Sequence, residues 1–225
     1  MINKNFLLNI RQKNNWTQDE MSRVIGVSRP TYISLEKGEG SLTVDKLKLL
    51  SDKLGCQPED ILTEKIIDEN KYQGILLQAV LNGSGKDGKI PKTKLAKLIY
   101  LTDFGWYFQH LESITGAQYR KLAQGPVPNY YFSAIDDLFE RGLINIEIKD
   151  TAQLISLTDA GKQVQFKNLG KDELDFVRKV SKKWQGKRTS EIVAFTHQQL
   201  PYKICTEGEV IPYELITQQD PEYVY

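Results

Sequence analysis

The chain has 225 residues, 40% hydrophobic and 26% charged, with a net charge of +1 and a pI near 7.7. This length suits one large domain or two small ones with real cores, and the near-neutral balance excludes a globally basic nucleic-acid binder, so DNA affinity must come from a local patch. Two cysteines, Cys56 and Cys205, exclude a disulfide framework or cysteine zinc site, and neither a signal-peptide core nor a membrane-length apolar run is present, so a cytoplasmic protein away from membranes is expected.

Residues 5–62 predict a compact all-helical unit. Leu7 and Ile10 begin it, with Arg11 and Lys13 alongside. The run TQDEMSRVIGVSRPTYISLEKG, residues 17–38, predicts two short helices joined by a tight turn. Thr17 and Glu20 stand at capping-box spacing, and Met21, Val24 and Ile25 give the first helix an apolar face. Gly26 supplies a left-handed turn residue. Ser28 can cap the second helix, with Pro30 in its first turn where a missing N–H costs little. Tyr32 and Leu35 face inward, and Gly38 ends the helix. A fourth helix starts near Thr43, carries Val44, Leu47, Leu50 and Leu54 on one face and stops at Gly55. PEDIL, residues 58–62, closes the core as a last helical turn.

Two helices, a tight turn and this order of caps form the grammar of a helix that enters the DNA major groove. Thr17-Gln18, the Gly26 turn, Ser28-Arg29 and the ending Leu35-Glu36-Lys37-Gly38 resemble the Cro/repressor-type (XRE-like) helix-turn-helix family. The resemblance covers about a quarter of the chain and implies binding to double-stranded operator DNA, usually as a dimer on inverted repeats. It also implies that Gln18 touches a phosphate and that Ser28, Arg29 and Pro30, with Ile33 and Ser34 one turn on, face the DNA. Arg29 is the best base reader, because its fork can grip guanine O6 and N7 together. Lys37 suits phosphate, and Pro30 departs from the usual polar residue and offers only an apolar contact.

Residues 63–71, TEKIIDENK, predict a charged connector, followed by a helix over residues 72–81 and a flexible loop over residues 83–89. Gly83, Gly88 and Lys89 match the phosphate-loop spacing G-x-x-x-x-G-K. Ile90 stands where that motif needs Ser or Thr for magnesium, and the preceding segment is helical rather than strand-like, so an exposed loop is expected and no nucleotide.

From Lys92 a long helix is predicted with Leu95, Leu98, Ile99 and Thr102 on one face, followed by an aromatic cluster of Phe104, Trp106, Tyr107 and Phe108. Gly125-Pro126-Val127-Pro128 reads as a stiff loop, since φ is fixed at both prolines. A helix over residues 130–141, a hairpin of strands 144–148 and 154–157 turning at Lys149-Asp150, and a helix beginning at Thr158 then follow. Helix, hairpin and helix is also winged-helix phrasing, but Asp136, Asp137 and Glu140 deprive it of the basic cluster DNA contact requires. Near the end, Leu174, Val177, Val180 and Trp184 form an inward stripe opposite a basic face of Arg178, Lys179, Lys182 and Lys183. His197 has no nearby nucleophile signature, so a helix-end or core histidine is expected.

KLAKLIYLTD, TGAQYRKLAQGPV and SEIVAFTHQQLP resemble the Panacea (SocA-like) antitoxin domain. The matching residues are Lys94, Leu98, Tyr100 and Asp103, then Gly116, Tyr119, Gly125, Pro126 and Val127, then His197 and Pro201, over residues 72–216. Tyr202 departs from the tryptophan common shortly after the late proline. The resemblance implies a non-enzymatic binding module that neutralises a cognate protein toxin encoded beside it. Such antitoxins often repress their own operon. Tyr119, Tyr130 and Tyr131, with the Gly125-Pro126-Val127 segment, are candidate toxin contacts, since tyrosine is enriched in interface hot spots. The competing expectation is that they close the core.

The expected fold is mainly α: a five-helix helix-turn-helix domain at 1–62, a linker at 63–71, and an α-rich α+β domain with a small β-hairpin at 72–225. No catalytic residue, metal site or cofactor is assigned, because no nucleophile–base pair, metal cluster or phosphate cradle emerges. The alternative function is a phage-type or stand-alone transcriptional regulator whose C-terminal domain dimerises or senses a ligand.

Overall fold

The computed structural model describes residues 4–13, 15–54, 58–62, 67–165 and 168–225. The chain forms two compact units, Met1–Ile66 and Ile67–Tyr225.

Among the described residues the first unit holds five helices: α1 (Lys4–Lys13), α2 (Gln18–Ile25), α3 (Arg29–Glu36), α4 (Val44–Leu54) and α5 (Pro58–Leu62). Their apolar faces meet in one core of Leu7, Met21, Ile25, Tyr32, Leu35, Leu50 and Ile61, each fully buried. Burying a side chain of this size contributes about 1.5–3 kcal/mol. The expected stop at Gly55 and Cys56 lie outside the described residues.

The second unit is built around α7 (Lys92–His110), preceded by α6 (Glu69–Gly83) and the short strand β1 (Lys89–Pro91). Asp68 caps α6 by accepting from Lys71 N at 2.9 Å, so the last part of the expected linker is helical; residues 63–66 lie outside the described residues. Every residue of α7 from Lys94 to Gly105 is buried. It is therefore a central helix packed on all sides, not a helix with one apolar face.

After α7 come β2 (Tyr119–Leu122), β3 (Gly125–Pro128), α8 (Tyr131–Glu140), β4 (Ile144–Lys149), β5 (Ala152–Leu157) and α9 (Asp159–Gln163). Then follow α10 (Lys171–Trp184), α11 (Thr189–Gln198), α12 (Leu200–Ile204), β6 (Val210–Ile211) and two 3₁₀ turns, Tyr213–Gln218 and Pro221–Tyr223. The described residues are mainly helical, with two small antiparallel sheets.

The expected hairpin, β4 and β5, is present, and β1 joins it in the order β1-β5-β4. The second sheet, β3-β2-β6, has no counterpart in the sequence expectations. Gly125-Pro126-Val127-Pro128 is a strand rather than a loop: Tyr119 pairs with Pro128, and Leu122 with Gly125. Two prolines are tolerated because β3 is an edge strand, where a missing donor costs no ladder bond on the open side. In α9, an added Cβ at Gly161 would lie 2.0 Å from Leu143 O, so only glycine fits there.

Candidate functional site

The helix-turn-helix face is built by local capping. Glu20 N donates to Thr17 Oγ1 at 3.2 Å, and Thr17 N donates to Glu20 Oε2 at 2.7 Å. The bonds from Thr17 N and the Thr17 hydroxyl to Glu20 Oε2 hold the Glu20 carboxyl below the usual carboxylate range. Gly26 takes φ +68°, and Ser28 Oγ accepts from Thr31 N at 3.3 Å to open α3. The first turn of α3 thus presents Arg29, Pro30 and Thr31 to solvent, with exposed Ser28 before it and exposed Lys37 after it. Ile33 and Ser34, expected to face outward, are half-buried. Thr31 is the exposed neighbour absent from the sequence expectations.

A chain of polar contacts fixes this face. Glu36 accepts from Arg11 Nε at 2.6 Å, Gln18 Nε2 at 2.8 Å and Tyr32 OH at 3.1 Å. Gln18 Oε1 in turn accepts from Arg29 Nη2 at 3.3 Å. The structure therefore joins Gln18 and Arg29, two sequence candidates, through one side-chain amide. Burial pushes the Glu36 carboxyl up, but the bonds from Arg11 and Gln18 outweigh it and leave it below its ordinary value. Burial also drives the Tyr32 hydroxyl well above its ordinary range. The i, i+4 spacing of Tyr32 and Glu36 could have revealed one of these links. The pairing of Arg11 with Glu36, 25 residues apart, has no local signature.

In the second unit the central feature is Asp103 on α7, fully buried. It accepts from Ile114 N (2.8 Å), Thr115 N (3.3 Å), Tyr119 OH (3.1 Å), Tyr213 OH (2.7 Å) and the Thr115 hydroxyl. Burial pushes its carboxyl up, and these donors pull it back in part. Lys97, also fully buried, donates to Pro126 O at 2.8 Å, and desolvation lowers its amine to about 7. Gly125, at φ +98°, packs so closely that an added Cβ would lie 2.8 Å from Lys97 Cε and 3.2 Å from His197 Nε2. His197 stacks flat on Tyr202, ring centroids 4.3 Å apart, and Tyr202 OH donates to Leu122 O at 3.0 Å. Burial, then Lys97 and Lys121, lower the His197 imidazole.

Residues 7–61 match the helix-turn-helix family model, and residues 95–202 match that of the Panacea domain of SocA-like antitoxins. The chain joins a helix-turn-helix to a SocA-like Panacea domain. A stretch of 68 residues is 31% identical to a protein described as an HTH-type transcriptional regulatory protein from Thermococcus kodakarensis, covering 29% of this chain and 21% of that one. The chain thus spans about a fifth of that relative. No solved structure matches.

Most of the candidate toxin contacts lie inside the second unit, as the competing expectation has it. Tyr119 and Tyr131 are core residues, 0% and 1% exposed, and Gly125, Pro126 and Val127 are buried in β3. Their polar ends are satisfied inside: Tyr119 bonds Asp103, and Tyr131 OH donates to Lys92 O at 2.6 Å. In this conformation they pack within the second unit, with little of their surface exposed. Tyr130 alone of the set is half-exposed, edge-on to Tyr72.

The G-x-x-x-x-G-K spacing builds no phosphate cradle. Gly83 ends α6, and Lys89 on β1 is paired to Glu147. Among the described residues no group of three or more His, Cys, Asp or Glu could hold a metal, and no helix is long and apolar enough to cross a membrane.

Proposed function

We propose that this protein is an antitoxin that neutralises a protein toxin through its Panacea unit and represses its own operon through its helix-turn-helix. The observation that carries this is the joining in one chain of an exposed α3 first turn, braced from within by Glu36, to a SocA-like Panacea domain. On DNA, as a homodimer, Arg29 reads a base edge, with Ser28, Pro30, Ile33 and Ser34 beside it, while Gln18 and Lys37 hold phosphates. The Arg29 contact to Gln18 orients its guanidinium before binding. Such preorganisation lowers the entropy lost on docking.

The test has two arms. In the first, the adjacent gene is expressed alone, with the full chain, and with the Arg29→Ala chain. Growth arrest by the neighbour, rescued equally by both chains, supports neutralisation independent of DNA. A harmless neighbour points instead to a stand-alone regulator, which the similarity to an HTH-type regulatory protein would favour. In the second arm, binding to the upstream region is measured against random duplex. Arg29→Ala should cost about 1–3 kcal/mol and relax one base position. Affinity should also fall steeply with salt. A loss equal on every sequence would make Arg29 a phosphate contact.

A further inference from the structure

The buried stripe of α10, Phe176, Val177, Val180, Ser181 and Trp184, seats that helix against α6 and α7. The helical period then turns Arg178, Lys179, Lys182 and Lys183 outward, and all four are exposed. Exposed Lys187 and Arg188 follow in the turn to α11. Between Asp175 and Glu191 the chain holds these six cations and no acid. The whole protein carries only +1, so positive charge is concentrated on this surface. The helix dipole accounts for Lys182 and Lys183, in the last turn of α10. It does not account for Lys187 and Arg188, which lie beyond the helix end.

Little on the protein neutralises these cations. Arg178 is paired with Asp175 at 2.6 Å, whereas Lys182 has no partner among the described residues. Lys179 Nζ donates to Tyr225 OH at 2.7 Å, and Lys183 Nζ donates to Tyr225 O. The Glu191 carboxylate accepts from Arg188 N at 2.7 Å and so closes α11. It lies 3.9 Å from Lys187 Nζ and 3.5 Å from Arg188 Nε, so one acid serves two cations at long range. Exposed pairs of this kind contribute little and are readily exchanged for another anion. The turn that carries Lys187 and Arg188 is pinned from below. Lys94 Nζ donates to Gln185 O at 3.1 Å and to Lys187 O at 2.6 Å, and Gln185 Nε2 donates to Ser84 O at 2.9 Å. A backbone fixed in this way loses little entropy on docking.

The first unit is short of such charge. Residues 1–66 hold ten Lys or Arg against nine Asp or Glu, and Arg11 and Arg23 are committed to Glu36 and Asp19. Neutralising phosphates is what supplies sequence-independent affinity for DNA, and it needs unpaired cations. We propose that the surface formed by α10 and the turn to α11 binds the phosphate backbone of duplex DNA without reading its sequence. Lys182 and Lys187 meet phosphates as point charges, and the Arg188 fork can grip two oxygens of one phosphate. The inference rests on the DNA-binding reading of the helix-turn-helix, which supplies the sequence preference.

The test measures binding of the full chain to labelled upstream and random duplexes by fluorescence anisotropy, in potassium chloride from about 50 to 200 mM. A triple variant, Lys182→Gln, Lys187→Gln and Arg188→Gln, changes exposed positions only and should keep the thermal midpoint. Each lost phosphate contact makes the slope of log K against log salt shallower by about 0.9, so a change of about 2–3 is expected. Affinity should fall by the same factor on both duplexes, which leaves the preference for the upstream one intact. A control variant, Lys149→Gln, Lys162→Gln and Lys203→Gln, removes the same charge from other exposed positions and should leave the slope unchanged. An unchanged slope in the first variant, or an equal change in the control, overturns the proposal while the helix-turn-helix reading stands. If the unaltered chain binds neither duplex, both readings fall. An unchanged slope combined with loss of toxin rescue by the first variant also overturns it, and assigns this surface to an acidic protein.

Discussion

Replacing Glu36 by Gln tests the claim that one carboxylate organises the DNA-facing unit. Glu36 accepts three side-chain bonds, and its pair with Arg11 is 2.6 Å long with side chains only 18% and 9% exposed. Gln keeps the shape but replaces one acceptor oxygen by an NH₂, which then faces donors from Arg11 or Gln18. The loss lies between that of an exposed pair, about 0–1 kcal/mol, and that of breaking a buried one, about 3–5 kcal/mol. The low exposure places it near 2–4 kcal/mol. For a unit of this size each kcal/mol moves Tm by about 4–8 °C, so a fall of roughly 8–30 °C is expected.

Scanning calorimetry of the full chain, with hydrogen exchange to assign the transition, measures this loss. An Arg11→Met, Glu36→Gln double-mutant cycle separates the pair from the rest, and a coupling of about 1–3 kcal/mol is expected. The pH dependence supplies a second readout. Because the folded carboxyl lies below its ordinary value, its contribution is fully present above the unfolded value near 4.3 and is lost as pH falls through the folded one. Glu36→Gln should flatten that acid limb. A loss below about 0.5 kcal/mol, typical of an unremarkable surface change, with no coupling to Arg11 would refute the reasoning.

Three further outcomes follow from the Panacea unit. Asp103→Ala removes the acceptor that five donors share, leaving Tyr213 OH to Ala117 O and Tyr119 OH to Ile99 O, and should cost about 3–5 kcal/mol in urea unfolding; an unchanged midpoint would remove Asp103 from its central place. Gly161→Ala drives a Cβ toward Leu143 O, 2.0 Å away, and should cost about 1–3 kcal/mol, read as a lower thermal midpoint of this unit. Lys97 lies below its unfolded value when folded, so between pH 7 and about 10.4 the unfolded state binds the extra proton and stability rises with pH. Lys97→Met should abolish that rise in denaturant melts at pH 7, 8 and 9.

The first unit was legible because its signals are local. Thr17 with Glu20, Gly26, Ser28 and the buried pair Tyr32 and Leu35 each act within one turn, and each stands where the spacing puts it. The second unit hides its architecture in distant pairings. β1 finds β5 more than sixty residues on, and β2 finds β6 about ninety on. Pro126 and Pro128 disguise a strand, because their fixed φ suits an edge strand as well as a loop. Tyr119 and Tyr131 looked like interface anchors because tyrosine suits a half-wet surface, yet Asp103 and Lys92 O supply the hydroxyl partners that let both rings go inside. No spacing rule announces that Asp103 is the acceptor for segments from residues 114 to 213.

The two units solve one problem in the same way. Each commits a carboxylate, Glu36 or Asp103, to gather hydroxyls and amides from elements far apart in sequence, and so fixes a face or a core. Lys97 is the exception. It is as buried as Asp103, sits two turns earlier on the same helix, and has only the carbonyl of Pro126 for a partner.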